Sequence, residues 1–364
     1  MIRKNRHSIM LLLILAISIL LTVGCSEVTV TESNAHNNNT KDIEHNSEDL
    51  IVHFIDVGQA DSILIHLPSG ETALIDGGNR DDSELVVKYL KKNNVSKINY
   101  LLATHPHEDH IGGLPEVVKS FQIDNVYMPN KSASTKIFES FINELKAKGI
   151  KATKARGGLS IIDNKDLEFN ILAPNSDKYY ETNEYSIVCK LVYKDRSFLF
   201  TGDAEGVSEK EMVDKGLDLS ADVLKVGHHG GRTSSSEEFL DHVAPKLAVI
   251  SVAAENDYGH PHQETIDRFK ERNISVMKTS ESGTIIISTD GQNINTQGVS
   301  LDVNSQSDEQ NDVDKEEIII GNKNTMVYHL KSCSNLPKAK NQVIFKSKAE
   351  AEKAGYRPDS RCVK

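Results

Sequence analysis

The sequence predicts an α/β fold in which two β-sheets lie face to face and helices cover their outer surfaces. Strand patterns dominate the first half of the body, which begins near Leu50, and strands alternate with helices in the second half. With 364 residues, the chain is long enough for one large core and additional segments at both ends. These observations predict one sandwich domain over residues 50–295.

The first half of this domain contains apolar runs with the length and alternation of strands. Apolar residues at helical spacing separate some of these runs, and a Pro-Ser-Gly turn at 68–70 joins two of them. Predicted strands cover residues 51–57, 62–67, 72–75, 98–103, 167–172, 185–193 and 197–201, and predicted helices cover 82–93, 112–121 and 135–148.

The second half has the alternating order that is typical of parallel strands joined by helices. The domain ends near Ile294, where the apolar pattern stops. Predicted strands cover residues 222–226, 247–252, 274–278 and 284–288, and predicted helices cover 235–243 and 263–272.

Residues 1–25 have the pattern of a signal peptide. Basic residues precede an almost wholly apolar run at 9–23, which is shorter than the roughly 20 residues of a spanning helix. Residues 21–25 resemble a bacterial lipobox, which implies lipidation of Cys25 and anchoring to the membrane; a plain transmembrane anchor is the alternative. Residues 26–49 are polar and form a predicted flexible linker.

Charge is distributed unevenly along the chain, whose net charge is −11. Residues 296–317 form a predicted acidic linker, whereas residues 318–364 contain eight lysines and two arginines against three acidic residues, a net charge of about +7. The body is therefore acidic, which argues against nucleic-acid binding by the molecule as a whole. The basic tail suits contact with phosphate groups or with anionic polymers of the cell envelope.

The segment His105-x-His107-x-Asp109-His110 follows the predicted buried strand 98–103 and carries four metal-binding side chains. Side chains at alternate positions of an extended segment point the same way, so His105 and His107 can face one ion. Asp109 and His110 fall where the chain turns into a loop and can face a second ion. Imidazole and carboxylate groups are suitable ligands for zinc or manganese.

With this motif the chain resembles hydrolases of the metallo-β-lactamase fold, whose His-x-His-x-Asp-His motif is complete here. Three further segments resemble that family in order: Leu-Ile-Asp-Gly-Gly at 74–78, Phe-Thr-Gly-Asp-Ala-Glu at 200–205 and Val-Gly-His-His-Gly at 226–230. Residues 54–61 and 258–262 are similar to the hydrolase domain of the ComEC competence proteins. The resemblance implies an αββα sandwich with two divalent metal ions, zinc or manganese, in a cleft at one edge.

The resemblance also implies roles for individual residues. Asp109 is a catalytic candidate, His229 and His260 are candidates for proton transfer, and Asp76 orients a ligand from behind it. For His260, a structural place in the loop before the helix is the alternative. Residues 183–188 lack the third histidine that many members use for the first ion, so His228 or His229 is left to complete that site. The implied metal ligands are His105, His107, Asp109, His110, Asp203 and His228.

The tail, residues 318–364, resembles the small Ada-type metal-binding domain. His329, Cys333 and Cys362 fit positions of zinc ligands, and Asp359 stands where that family usually has a cysteine. A structural zinc ion would hold together a segment that is too short to build much core alone. The alternative is a disulfide between Cys333 and Cys362, which an extracellular location permits.

Together these features predict a metal-dependent hydrolase on the extracellular face of the cell membrane, lipid-anchored or secreted. Its predicted activity is cleavage of DNA phosphodiesters through a metal-activated hydroxide, and the ComEC-like motifs and the basic tail support DNA as the substrate. One alternative is a hydrolase of another ester or amide. The other is a non-catalytic envelope-binding protein that uses the metal site structurally.

Overall fold

The computed structural model describes the body almost completely and much of the tail. The predicted signal peptide, Cys25 and most of both predicted linkers lie outside the described residues. The described residues are 48–296, 299–301, 319–330, 333, 336–345, 347–360 and 362.

Strands make up the centre of the body. In chain order they are β1 (Leu50–Phe54), β2 (Ile63–His66), β3 (Thr72–Ile75), β4 (Lys97–Leu102), β5 (Gln122–Met128), β6 (Ala152–Lys154), β7 (Leu159–Asp163), β8 (Leu167–Ala173), β9 (Val188–Tyr193), β10 (Arg196–Phe200), β11 (Val223–Lys225), β12 (Leu247–Ile250), β13 (Ser275–Lys278), β14 (Ile285–Thr289), β15 (Ile294–Thr296) and β16 (Val299–Leu301).

These strands form two sheets. The first has nine strands in the order β16-β15-β14-β1-β2-β3-β4-β5-β6, and the second has seven in the order β13-β12-β11-β10-β9-β8-β7. β3 to β6 pair in parallel, as do β10 to β13. The carboxyl ends of parallel neighbours meet at one edge of a sheet, and this is where open α/β sheets bind their ligands.

Helices and 3₁₀ turns connect the strands. In chain order they are η1 (Arg80–Asp82), α1 (Ser83–Lys92), α2 (Glu108–Ile111), α3 (Leu114–Ser120), α4 (Lys136–Ala147), η2 (Asn183–Tyr185), α5 (Gly206–Asp214), η3 (Gly227–Gly230), α6 (Glu237–Val243), α7 (Gln263–Glu271) and α8 (Thr279–Ser282).

The core is divided into three apolar layers, which confirms the predicted αββα sandwich. Val52 and Phe54 of β1 pack against Phe198 and Phe200 of β10 between the two sheets. A second cluster lies between the first sheet and helices α1, α3 and α4, and a third lies between the second sheet and helices α5 to α7. Adjacent strand residues contribute to different layers because side chains alternate across a strand.

Most predicted elements are present with shorter ends, but the strands β5, β6, β7, β15 and β16 and the helices α2, α5 and α8 were not predicted. In β5, polar residues occupy three of the seven positions of QIDNVYM and conceal its alternation. In α5, the helix turns Ser208 and Glu209 inward beside Met212, so that no apolar stripe marks its buried face. The predicted helix at 112–121 begins only at Leu114, and the predicted strand at 185–193 begins at Val188.

The tail forms a small separate sheet with little apolar core. Its strands are β17 (Ile319–Asn322), β18 (Val327–Leu330), β19 (Gln342–Phe345) and β20 (Arg357–Pro358), accompanied by η4 (Ala339–Asn341) and α9 (Lys348–Lys353). The sheet order is β19-β17-β18-β20. Only a few buried apolar side chains pack together here, with Tyr328 the largest. A core of this size needs an additional cross-link or ion.

None of the helices in the described part of the chain combines the length and the apolar character that crossing a membrane requires.

Candidate metal centre

The histidine-aspartate motif lies directly after the carboxyl end of β4. His105 is buried in the extended segment that leaves the strand, and His107 is the N-terminal cap of the short helix α2. Asp109 and His110 stand on the first turn of that helix rather than in a loop. The change from extended to helical backbone directs the two pairs of side chains to different places, as two separate ligand sets require.

Gly113 lets this motif pass very close to the loop after β3. A Cβ atom at Gly113 would lie 2.1 Å from the carbonyl oxygen of Gly77, and one at Gly112 would lie 2.2 Å from the backbone nitrogen of Arg80. The backbone φ angles of Gly112 and Gly113 are −58° and −82°, which any residue can adopt. The two glycines are therefore required for space and not for an unusual conformation.

We expect Gly113→Ala to lower the free energy of unfolding by about 2 to 3 kcal/mol, because the colliding atoms belong to the backbone and cannot rotate away. Urea denaturation of the purified variants measures this change. Gly149→Ala is the control: Gly149 has a φ of +68° but nothing within 4 Å of its added Cβ, so we expect a cost of about 1 kcal/mol. Equal costs for the two variants would contradict the spatial argument.

The first ligand set consists of His105, His107 and one oxygen of Asp203. His105 Nε2 lies 3.0 Å from His107 Nδ1 and 3.8 Å from Asp203 Oδ2. Donor atoms on a tetrahedral zinc ion, each about 2.0–2.1 Å from the metal, are roughly 3.3 Å apart. The two distances from His105 Nε2 are of the size that donor atoms on one ion would have.

The second ligand set brings together Asp109, His110, Asp203 and His229, whose donor atoms all lie within 4.8 Å of one another. His110 Nε2 is 3.2 Å from Asp203 Oδ1, and His229 Nε2 is 3.3 Å from Asp109 Oδ2. His110 Nε2 and Asp203 Oδ1 are buried and have no hydrogen-bond partner. Because orphaned buried polar atoms are costly, this pair of atoms fits a cation between them.

The two consecutive histidines of η3 have different surroundings. Both have left-handed backbone conformations, with φ of 50° for His228 and 53° for His229. His229 is buried, and its Nδ1 lies 2.9 Å from the carbonyl oxygen of Ser251, which leaves Nε2 directed at the ligand cluster. His228 Nδ1 instead lies 2.8 Å from Glu205. The structure thus places His229, predicted for proton transfer, among the ligand atoms, and places His228, predicted as a ligand, beside a carboxylate.

Asp76 stands behind His110, at the carboxyl end of β3. Its carboxylate lies 2.7 Å from His110 Nδ1 and accepts hydrogen bonds from the backbone nitrogen and the hydroxyl of Thr104, at 2.8 and 2.6 Å. A donor at Nδ1 leaves His110 Nε2 free to bind metal. This geometry agrees with the orienting role that the sequence implied for Asp76.

Electrostatics also favours cations here. Burial lowers the pKa of His105 well below its usual value, which favours the neutral form that binds metal. Burial acts in the same direction on His110, but surrounding carboxylates, Asp203 foremost, outweigh it and raise the pKa of His110 well above its usual value. Burial opposes ionisation of Asp203, but the neighbouring histidines hold its pKa well below the usual range. This excess of buried negative charge suits divalent ions.

An open cleft of about 350 Å³ leads to the two ligand sets. His260 lines it, with Nδ1 3.4 Å from Gln59 Nε2, and Tyr258 stacks on the His260 ring at a centroid distance of 5.6 Å. Burial and the nearby histidines lower the pKa of His260 to about 4, so its imidazole is neutral near pH 7. Gln59, Asn183 and Tyr258 line this cleft and were not predicted as site residues.

A buried ion pair beneath the ligands was also missed. Lys225 Nζ lies 2.8 Å from Asp61 Oδ2, and neither side chain is accessible beyond a few per cent. Asp61 Oδ1 lies 3.6 Å from His229 Nδ1. The available signal was the lysine in the otherwise apolar segment Val-Leu-Lys-Val at 223–226, since a charge on a central strand needs a partner.

Ser186 lies within residues 183–188, where the family resemblance would place a third histidine. Its hydroxyl lies 3.3 Å from His105 Nδ1 and accepts a hydrogen bond from the backbone nitrogen of Asp203 at 3.1 Å. The hydroxyl therefore supports two ligands from behind.

A separate ligand cluster lies in the tail and combines the three predicted ligands His329, Cys333 and Cys362 with Asp359. His329 Nδ1 lies 3.1 Å from Asp359 Oδ2, 3.7 Å from Cys333 Sγ and 3.8 Å from Cys362 Sγ. Cys333 and Cys362 are not joined by a disulfide. Two sulfurs, one nitrogen and one oxygen in this space fit a structural zinc ion, with Asp359 as the fourth ligand.

We expect Cys333→Ser to reduce the zinc content by about one ion per chain, because the thiolate is the stronger ligand and folding of the tail is coupled to the metal. Elemental analysis of the purified full chain measures this loss. Cys189→Ala serves as the control, since Cys189 is buried in β9 among apolar residues. Equal zinc contents for both variants would show that this cluster holds no ion.

The sandwich fold and the paired ligand sets define a domain with a metal centre at one edge of two packed sheets. Residues 55–254, more than half of the chain, match the family described as Metallo-beta-lactamase superfamily, and the chain belongs to that family. Residues 306–364 match the metal binding domain of Ada. Members of the first family bind two metal ions, in agreement with the two ligand sets, and the second match agrees with zinc in the tail.

Among curated proteins the chain is similar to part of several longer bacterial proteins. It is 29% identical over 251 residues to ComE operon protein 3 of Bacillus subtilis, covering 64% of this chain and 32% of that protein. It is 29% identical over 237 residues to recombination protein 2 of Haemophilus influenzae, covering 64% and 28%. The chain thus spans about a third of the length of these relatives.

Solved structures with a similar fold are more distant. Human tRNase Z, short form, has a TM-score of 0.39 at 15% identity, covering 63% of this chain and 95% of that chain. CmlA, a diiron beta-hydroxylase from Streptomyces venezuelae, has a TM-score of 0.42 at 15% identity, covering 64% and 53%.

Proposed function

We propose that this protein is an extracellular phosphodiesterase that cleaves DNA. The observation that carries the proposal is the position of Asp203, whose two oxygens face the two ligand sets at the end of an open cleft. Two ions that share a carboxylate are close enough to contact the same phosphoryl group, an arrangement suited to in-line displacement at a phosphodiester.

DNA is the favoured substrate for two reasons. The relatives include proteins named for competence and recombination. The tail has a net charge of about +7 over residues 318–364, although the whole chain is acidic, and attraction between lysines and phosphates dominates affinity for nucleic acids. A tethered basic unit would raise the local concentration of DNA near the acidic body.

In this proposal the chain supplies binding, orientation and proton transfer. Bound at the two ligand sets, divalent ions would activate water and neutralise charge on the phosphate. Asp76 and Ser186 hold the ligands His110 and His105 in position from behind. The neutral imidazole of His260 lies at the cleft and takes part in proton transfer. At the rim of the cleft, His228 pairs with the carboxylate of Glu205.

We also propose how the segments of the chain are arranged at the cell surface. A signal peptide at 1–25 would direct export, and lipidated Cys25 would anchor the protein through the linker at 26–49. The catalytic domain at 50–295 and the metal-binding tail at 318–364 would be joined by the acidic linker at 296–317. Mass spectrometry of the mature N-terminus, with and without inhibition of lipoprotein processing, tests the anchor.

The experiment for the activity uses the purified chain from residue 26 onward. Linear and supercoiled DNA are incubated with Mn²⁺ or Zn²⁺, beside Asp109→Ala, a chelator control and Asp214→Ala, which alters an exposed aspartate on α5. We expect cleavage that is lost with Asp109→Ala and with the chelator and is retained with Asp214→Ala. No cleavage by a folded, metal-loaded protein would reject the nuclease proposal in favour of ester, amide or envelope-polymer substrates.

A further inference from the structure

A second concave surface lies at the carboxyl ends of β5 and β6. It has a volume of about 510 Å³, larger than the metal cleft, and we call it the β5–β6 groove. Hydrogen-bond donors, two ammonium groups and one aromatic ring line it. The residues that the argument uses are Asn130, Lys131, Ser132, Phe138, Thr153 and Lys154.

The groove is a neighbour of the metal centre, with η2 as the wall between them. Lys131 Nζ lies over the ring of Tyr185, 4.7 Å from its centroid. The next residue, Ser186, contacts His105 of the first ligand set, and Asn183 at the other end of η2 lines the metal cleft. One helical turn therefore contacts both the groove and the metal centre.

Charge at the groove is opposite to that of the acidic body. Lys131 and Lys154 belong to the lining of the groove, which includes no acidic residue among those that the structure describes, and Arg156 follows two positions after Lys154. Asp177 pairs with Lys154 at 3.3 Å and with Arg156 at 3.0 Å, but these three side chains are at least half exposed. Exposed pairs of this kind are weak and are readily replaced by contacts with a phosphate.

Exposed aromatic side chains lie at the metal cleft and on the loop that precedes η2. Tyr258 is 67% exposed and lines the metal cleft, and Tyr180 is 97% exposed on the loop that leads from β8 into η2. Phe138 adds a ring inside the groove. Aromatic rings combined with a basic groove are typical of surfaces that bind single strands, because the base faces are accessible only when they are unstacked.

We infer that the β5–β6 groove binds the backbone of single-stranded DNA whose scissile phosphodiester lies at the metal centre. This inference rests on the function proposed above and assigns its substrate as a single strand. Lys131 and Lys154 contact successive phosphates, and Asn130, Ser132 and Thr153 donate hydrogen bonds to phosphate oxygens. Tyr258 stacks on a base on the far side of the metals.

The test measures binding of a fluorescent single-stranded 20-mer, and of the corresponding duplex, by anisotropy at several salt concentrations without added divalent metal. Lys131→Ala/Lys154→Ala is compared with Lys91→Ala/Lys92→Ala, which removes the same charge from the exposed end of α1. The basic tail is unchanged in both variants. Each phosphate contact to a single strand contributes about 0.7 logarithmic unit of affinity per decade of salt.

We expect the groove variant to bind the single strand about 25-fold more weakly at 0.1 M salt, with a salt slope that is lower by about 1.4, and to lose less affinity for the duplex. Equal affinities of the two variants for the single strand would overturn the inference, as would an equal loss for duplex and single strand. Cleavage of the same DNA with Mn²⁺ is scored separately. If the groove variant binds the single strand more weakly but the wild type does not cleave it, only the nuclease proposal is rejected and the groove inference stands.

Discussion

Replacing Asp203 by asparagine is expected to reduce hydrolysis by about 1,000-fold. Both oxygens of this buried carboxylate face ligand atoms, at 3.8 Å from His105 Nε2 and 3.2 Å from His110 Nε2. The amide removes the charge and turns an N–H group toward one ligand set, so we expect loss of at least one ion. Several kcal/mol of transition-state stabilisation by the ions would be lost, at about tenfold for each 1.4 kcal/mol.

Asp76→Asn makes the same chemical change at an aspartate that supports a ligand, and we expect a smaller loss of activity than for Asp203→Asn. Asp76 supports His110 through a hydrogen bond and belongs to neither of the two ligand sets. Changes to such supporting residues typically cost 10–100-fold in metal affinity or activity. Metal content by elemental analysis and kcat/KM with a small phosphodiester are measured for both variants. An Asp203→Asn protein that keeps its full metal content and more than about a tenth of its activity would contradict the shared-ligand geometry.

Lys225→Met is expected to lower the free energy of unfolding by about 3 to 5 kcal/mol. The lysine is fully buried and pairs with buried Asp61 at 2.8 Å, so its removal leaves an uncompensated carboxylate in the core. Chemical denaturation of the metal-free protein measures the change. The double variant Asp61→Asn/Lys225→Met should recover part of the loss, because no unpaired charge then remains.

Lys190→Met is the matched control for this prediction. Lys190 is also buried, in β9, but its partner Asp218 is 78% exposed and stays hydrated when the lysine is replaced. We expect a loss of about 1 kcal/mol or less, as for other pairs with a solvated partner. If Lys225→Met cost no more than Lys190→Met, the buried pair would not have the energetic role that its burial implies.

The fold was largely predictable because most strands and helices carry a clear apolar period. β1 and β10 are mostly apolar runs of strand length, and alternate residues of each, such as Val52 and Phe54 or Phe198 and Phe200, enter the inter-sheet core. β5 and α5 were missed because their buried faces include polar groups that find partners only in the folded chain. In α5, Glu209 is buried and accepts hydrogen bonds from the backbone of Ser235 and Ser236, residues distant in sequence.

The candidate site was predictable in its ligand types but not in all of its assignments. The spacing of His105, His107, Asp109 and His110 is local and defines their directions within a few residues. Residues 183–188, where the family resemblance would place a third histidine, contain none. Ser186 in this stretch supports the ligands instead.

The sequence by itself determined the class of fold, the position of the metal motif at the end of a buried strand, and three candidate ligands of the tail. Only the tertiary structure decided that His229, and not His228, lies beside Asp203 and Asp109. It also decided that Lys225 meets Asp61, 164 positions earlier in the chain. The physical reason is that spacing encodes direction only within one regular element. The left-handed turn at η3 and the packing of two sheets set directions that no local period contains.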